Sequence, residues 1–241
     1  MGRDVATSPT AGTKTLYRSW DLRGRDGSYC VGMVRTIAIA PHPLLELGAF
    51  VTKFAQPLGE LNAPFKAAGV NAPFAASDAV RAEIRALLRH GGFKPAGRSK
   101  PASEYLVAAQ TEGRFPEINA AVDACNIASL YSGLPISLID LDRVVGDMSV
   151  SICPAATSYV FNPSGQVIDA SGLLAVFDAE GPTGTPVKDA QRTKTHEGTR
   201  TTLSIVWGSN KLPGRTKQAT DWYRQLVAEI PGATLEDVSL R

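Results

Sequence analysis

Three short polar side chains recur on one face of a single helix-forming stretch, and short polar groups at fixed spacing are what a binding or hydrolytic site needs. Within residues 114–142 (RFPEINAAVDACNIASLYSGLPISLIDLD), an advance of about 100° per residue places Asn119, Asp123 and Asn126 in one stripe. The apolar Ile118, Val122 and Cys125 run beside them. Solvated helix faces usually carry long Lys and Glu side chains, whereas short amides and carboxylates hold fixed directions and bond backbone or ligand. A second polar concentration lies in residues 178–201, where Lys188, Asp189, Arg192, Thr193, Lys194, Thr195 and His196 follow one another between two expected strands, as on a pocket rim. Basic residues gather in two further places. Arg81, Arg85 and Arg89, with His90, share the outer face of an expected helix and could meet phosphates; solvation alone also accounts for such a face. Arg98 and Lys100 precede a helix start, a corner that suits an anion. Asp140 and Asp142 are two apart, but no His or third carboxylate is spaced to complete a metal site, so they read as structural or turn-capping. His42, between two prolines, reads as a surface turn residue.

The elements that must position these groups follow from periodicity and turn chemistry. An opening strand is expected over Cys30–Ala40, and helical spacing (Leu44, Leu47, Phe50, Val51, Phe54) predicts a helix over 44–54. An irregular Pro/Gly/Asn stretch runs to Ala76. Ser77 then caps a helix over 78–89 that turns Val80, Ile84, Leu87 and Leu88 inward and closes at Gly91-Gly92. Ser103 is expected to cap the next helix, which ends at Gly113; the polar-striped helix ends at Gly133, and residues 134–139 form a strand. Short strands follow over 148–153, 157–161, 166–168 and 173–177, an antiparallel meander. A strand over 202–207 and a last helix over 218–230, burying Trp222, Leu226 and Ile230 and stopped by Pro231-Gly232, complete the chain.

Composition bounds the class. With 241 residues and 44% hydrophobic content the chain can bury a full core as one domain, expected over 16–241 behind a flexible tail of residues 1–15. The net charge of +2 gives no strong whole-molecule pull on nucleic acid, leaving only local patches. Cys30, Cys125 and Cys153 are odd in number and lack a CxxC pair, which indicates reduced core thiols in a cytoplasmic protein. No apolar run reaches the roughly 20 residues of a membrane span. No ATP-binding motif is present, and neither a metal nor a cofactor is expected.

Several separated motifs occur in a meaningful order: Arg98, Pro101-Ala102-Ser103-Glu104, Ile118-Asn119, Val122-Asp123, Asn126, Ser129-Leu130, Gly133-Leu134-Pro135, Asp140-Leu141-Asp142, Gly146, Lys188-Asp189 and Arg192-Thr193 before a Thr-rich strand. Together they resemble the editing domain of the phenylalanyl-tRNA synthetase beta chain, its modules B-three and B-four, in a free-standing form. The resemblance covers roughly residues 30–208. It implies an α+β fold, a single mixed domain with antiparallel strands and helices around a central pocket. It further implies binding of the aminoacyl end of tRNA and hydrolysis of a mischarged aminoacyl ester in trans, with no DNA and no membrane as partners.

Under that resemblance Asn126 positions the ester or the water, Asp123 orients the helix or receives the amino group, and amides near Gly133 serve the oxyanion. Lys188 and Arg192 meet the phosphate or carboxyl side, with Glu104, Asn119, Asp189 and Thr195 as further substrate contacts. Arg81, Arg85, Arg89, Arg98 and Lys100 hold the nucleic acid. Two departures stand out. Ser137 occupies the place of the synthetase's substrate-binding His, and residues 200–207 lack its late-strand Glu. The pocket then runs on Ser137, Asn126 and bound water. Two alternatives stay open: a non-catalytic module that binds tRNA or an amino-acid-like ligand, and a hydrolase of another small ester or amide. A covalent Ser137 would need His196 as its base.

Overall fold

The computed structural model describes residues 36–62, 65–67, 70–74 and 77–241. The expected tail, Cys30 and most of the opening strand lie outside these residues. The described elements, in chain order, are strand β1 (Thr36–Ile39), strand β2 (Leu45–Phe54), helix α1 (Asp78–Arg89), helix α2 (Ala102–Thr111), helix α3 (Ala120–Ser132) and strand β3 (Ile136–Asp140). Strands β4 (Ser149–Ile152), β5 (Ser158–Val160), β6 (Val167–Asp169), β7 (Leu174–Asp178), β8 (Gly181–Gly184) and β9 (Thr201–Ser209) follow, then helix α4 (Arg215–Ala228) and strands β10 (Ala233–Asp237) and β11 (Ser239–Leu240).

One sheet runs β10-β2-β9-β3, antiparallel throughout; a second runs β11-β1-β4-β7-β8, with β1 parallel to both β11 and β4; β5 and β6 pair as a hairpin apart. The architecture is α+β with mixed parallel and antiparallel pairing. Residues 44–54 therefore form a strand and not the expected helix. Strand β2 lies between β9 and β10 and both of its faces are partly covered, so its apolar residues lose the two-residue alternation and fall by chance on helical spacing.

The sheet containing β9 is a partition. In β9, Thr202, Ser204, Val206 and Gly208 face one way and Leu203, Ile205 and Trp207 the other. Helix α4 packs on the first face at close range: a Cβ at Gly48 or Gly208 would lie 1.9 Å from the hydroxyl of Thr220 or Thr216, so only glycine admits the helix there. Tyr223 of α4 meets Phe50 edge-on at 4.9 Å between ring centroids and its hydroxyl accepts from Ser204 Oγ at 3.1 Å. On the other face Leu203, Ile205 and Trp207 are fully buried. Each such side chain contributes about 1.5–3 kcal/mol by leaving water.

Helix α1 starts as expected, Ser77 Oγ accepting from the Val80 amide at 3.3 Å, and buries Val80, Ile84, Leu87 and Leu88. Helix α2 departs from expectation: Pro101 occupies its cap with no side-chain hydrogen bond, and Ser103 is buried inside the first turn. Helix α3 ends at Gly133 in the left-handed conformation (φ 72°), and α4 begins three residues earlier than predicted, after Gly214. The polar loop after β7 contains β8, whose Gly-Pro-Thr-Gly sequence carries no strand signal. His42 serves its turn, Nδ1 accepting from the amides of Leu44 and Leu45 at 3.2 and 3.1 Å. Cys125 and Cys153 are buried free thiols, both pushed up to about 12 by burial. No helix among the described residues is long and apolar enough to cross a membrane.

Candidate functional site

The polar stripe of α3 divides into two caps and one free amide. Asn119 is extended (φ −163°), and its Oδ1 accepts from the Val122 amide at 3.0 Å. Asp123 Oδ1 reaches back to accept from the Ile118 amide at 2.8 Å; burial raises its pKa against that bond. Asn119 satisfies an amide that the first helical turn leaves without a partner, and Asp123 ties the residue before the cap to the helix. Ile118 precedes the helix and is 65% exposed, so it is not part of an apolar face. Asn126 is half-buried and its amide bonds no described residue.

Asn126 lines a hollow of about 260 Å³ with Ser129 of α3, Ile136 of β3, Ala102, Tyr105 and Leu106 of α2, and Val187-Lys188. Ser129 Oγ donates to Leu134 O at 2.8 Å, leaving Asn126 and Lys188 as the polar groups free to meet a ligand. The backbone of Lys188 is fixed from below. Thr185 Oγ1 lies 2.9 Å from Lys188 O and accepts from the Lys188 amide at 3.1 Å, and Tyr159 Oη donates to Lys188 O at 2.5 Å. From that anchored backbone Lys188 Nζ reaches the Phe161 ring at 4.2 Å and the Tyr105 ring at 5.6 Å from their centroids. Lys194 Nζ lies 5.4 Å from the Phe161 centroid and donates to Phe161 O; Lys100 Nζ stands 4.6 Å from the Tyr105 centroid. Burial and then repulsion from Arg98 lower the Lys188 pKa; burial, and less strongly Lys188, lower that of Lys194 against the pull of Asp189. The rim is thus a cluster of cations interleaved with two aromatic rings.

The other expected residues have structural duties. Ser137 follows Ile136, and strand alternation turns it to the opposite face of β3, away from the hollow. There it is fully buried, donating to Thr185 O at 3.1 Å and accepting from Trp207 Nε1 at 2.9 Å. His196 is not its base: His196 Nε2 lies 3.3 Å from Asp140 Oδ2, while its Nδ1 accepts from the Gly198 amide at 3.0 Å. Asp140, fully buried, also accepts from Thr199 Oγ1 at 2.7 Å and from the Asp142 amide at 3.0 Å; Asp142 itself falls beyond the strand.

Asp189 accepts from the amides of Thr185 and Leu138, both at 3.1 Å, which ties the loop to β3; burial pushes its pKa up to about 6 in spite of these bonds. Arg192 donates to both oxygens of the buried Asp178, at 2.9 and 2.5 Å, and to Gly181 O at 2.9 Å, closing the β7–β8 turn. Burial works against ionisation of Asp178, but Arg192 with the Val145 and Glu180 amides holds its pKa below the ordinary value. The amides around Gly133 are also committed, Gly133 N to Ser129 O at 3.0 Å and Leu134 N to Ser132 Oγ at 3.2 Å. Thr195 is half-buried and lines neither hollow.

A larger hollow of about 570 Å³ lies on the other side of α2, lined by Ser77, Asp78 and Arg81 of α1, by Lys100, Ser103, Glu104, Val107 and Ala108, and by Gly133. Glu104 accepts from Arg85 Nε and Nη2, both at 2.6 Å, so these two expected ligand contacts neutralise each other. Arg81 pairs with Asp78 at 3.0 Å. Arg89, Arg98 and Lys100 have no carboxylate partner among the described residues. Among these residues, no group of three or more His, Cys, Asp or Glu is placed to hold a metal ion. The structure therefore brings Asn126, Lys188, Arg98 and Lys100 to one corner. It joins to them Lys194 of the expected rim and adds Tyr105 and Phe161, an aromatic-basic alternation scattered over three distant segments of the sequence.

No protein-family profile matches the chain, and no curated protein matches it. Among solved structures, an N-terminal fragment of the phenylalanyl-tRNA synthetase beta subunit from Pyrococcus horikoshii is distantly similar, with 10% identity and a TM-score of 0.48 over 89% of this chain and 54% of that one. The chain spans about half the length of that fragment.

Proposed function

We propose that the hollow between α2, α3 and β3 receives the aminoacyl end of a tRNA and hydrolyses a mischarged ester in trans. The observation that carries this reading is the uncommitted Asn126 amide in a small apolar hollow whose rim alternates lysines with Tyr105 and Phe161. The order of motifs along the chain supports it as well. An apolar wall of Leu106, Ile136 and Val187 suits an amino-acid side chain, aromatic rings suit a terminal base, and the cations suit the phosphates that follow it. An aminoacyl ester is already activated and requires no covalent nucleophile. Water attacks the carbonyl carbon, the bond to the ribose oxygen breaks, and that oxygen leaves as a hydroxyl with a proton from the water. Asn126 would orient the ester or the water, and the Lys188 ammonium would stabilise the developing oxyanion. Asp123 and Asn119 act as positioning residues, by fixing the start of α3.

One observation favours a second reading, a module that binds without chemistry: Ser137 faces away from the hollow, and the amides of Gly133 and Leu134 are already bonded. Release of amino acid from a panel of mischarged tRNAs separates the two. Under the leading reading the protein releases amino acid faster than water alone, and Asn126→Ala slows it about a hundredfold. No release with tRNA binding intact supports the module, and absence of both removes tRNA from consideration. Binding at graded salt locates the contacts. Lys188→Ala should flatten the dependence, while Arg85→Ala, a residue already paired with Glu104, should leave it unchanged.

A further inference from the structure

Ser103 is only 3% exposed, yet its hydroxyl has no hydrogen-bond partner among the described residues, and it lines the larger hollow. The hydroxyl is therefore available to whatever the hollow holds. Its position adds to the point. Helix α2 starts without a side-chain cap; the Ala102 amide bonds Pro186 O at 2.9 Å and the Glu104 amide bonds Pro101 O at 3.0 Å, whereas the Ser103 amide finds no partner among the described residues. The hollow runs along the flank of this ten-residue helix from its first turn, which carries partial positive charge.

The four charged groups in the wall, Asp78, Arg81, Lys100 and Glu104, balance in sign, and the addition of Arg85, which is bonded to Glu104, leaves Lys100 as the unmatched charge. Asp78 is matched by Arg81 and Glu104 by the bidentate Arg85, while Lys100, in the same wall, has no carboxylate partner among the described residues. We propose that the hollow between α1, α2 and Gly133 binds a small oxyanion, a phosphate or carboxylate group, with the Ser103 hydroxyl and amide as donors and Lys100 as the opposing charge. The volume of about 570 Å³ exceeds what such a group fills, so the oxyanion is one end of a larger ligand whose apolar part lies against Val107 and Ala108. The two hollows flank α2 and share Lys100, whose ammonium lies over Tyr105 of the Asn126 hollow, but oxyanion binding at Ser103 does not depend on ester hydrolysis there.

Amide chemical shifts of the full chain, titrated with inorganic phosphate and separately with acetate against a chloride control of equal ionic strength, test the proposal. A saturable shift centred on Ser103 and Glu104 is expected. Lys100→Gln should weaken it about tenfold and Ser103→Ala about fivefold, the effects of losing a charged and a neutral hydrogen-bond partner. Far-ultraviolet circular dichroism of both variants should match the parent, and because Lys100 is half-buried and precedes the helix its variant tests the site even if Ser103→Ala perturbs packing. A stronger response to phosphate identifies a phosphate-bearing ligand, and a stronger response to acetate a carboxylate. Shifts no larger than those from chloride, or unaltered binding in Lys100→Gln, would overturn the proposal.

Discussion

The two sides of the corner formed by α2, α3 and β3 use similar polar residues to opposite ends. On the side of β3 and the loop after β8, Ser137, Asp189, Arg192 and Asp140 are each consumed by backbone amides or by one another. On the side of α2, Asn126, Ser103 and Lys100 have no hydrogen-bond partner among the described residues, and the Lys188 ammonium meets only ring faces. A polar residue becomes available to a ligand only where the backbone around it has been satisfied by other means. Strands ending in irregular loops leave many amides to satisfy; a helix satisfies its own except at its first turn.

That contrast is broken most directly at Arg192. Arg192→Met strands the Asp178 carboxylate with only backbone donors and should lower stability by about 3 kcal/mol in urea unfolding. Hardly any loss there would place Arg192 among the available residues. Next is the titration of Asp189. Its proton is held more tightly in the folded state, at about 6, than at the ordinary 3.8 of the unfolded chain. Its contribution is fully present below the lower value and declines as pH rises through the higher one, by about 3 kcal/mol in total. Unfolding free energies measured across this window should fall accordingly, and Asp189→Asn should flatten the trend. An equal slope in that variant would assign the titration elsewhere. Asn119→Ala gives the smallest effect, about 1 kcal/mol from loss of the α3 cap. Its thermal midpoint should fall while that of Asn126→Ala holds, which sharpens the division within one helical stripe; equal falls would erase it.

The sequence makes residue types legible and leaves their commitments largely hidden. The span and cap of α1, the Gly133 terminus and the spans of the strands from 149 to 178 follow local rules, and local rules can be read; the expected meander does not form, because β4 pairs with β7 and β1 while β5 and β6 pair only with each other. Strand β2 cannot, since its pairing with β9 and β10 along both edges and the packing of α4 on one face come from residues distant in sequence. Strand β8 owes its conformation to pairing with β7 and β11 to pairing with β1. The corner itself was partly legible. Asn126 and Lys188 belong to it as expected, but Asn119 stands directly before a helical run and its capping role was open to inspection. Ser137 turned on a single residue of strand register. Tyr105 and Phe161 carried no signal, because nothing local to either announces the lysines that meet them.

The central place of β9 has a consequence for how the chain is made. Lys53 pairs with Thr201 and Ile136 with Val206, so β2 and β3 share a partner synthesised long after either. While the ribosome is still translating residues 141–200, two strands wait with open edges and the helices have no finished sheet to cover. Such long-range closure is slow, and the waiting edges are the nascent chain's points of exposure to chaperones and to misassociation.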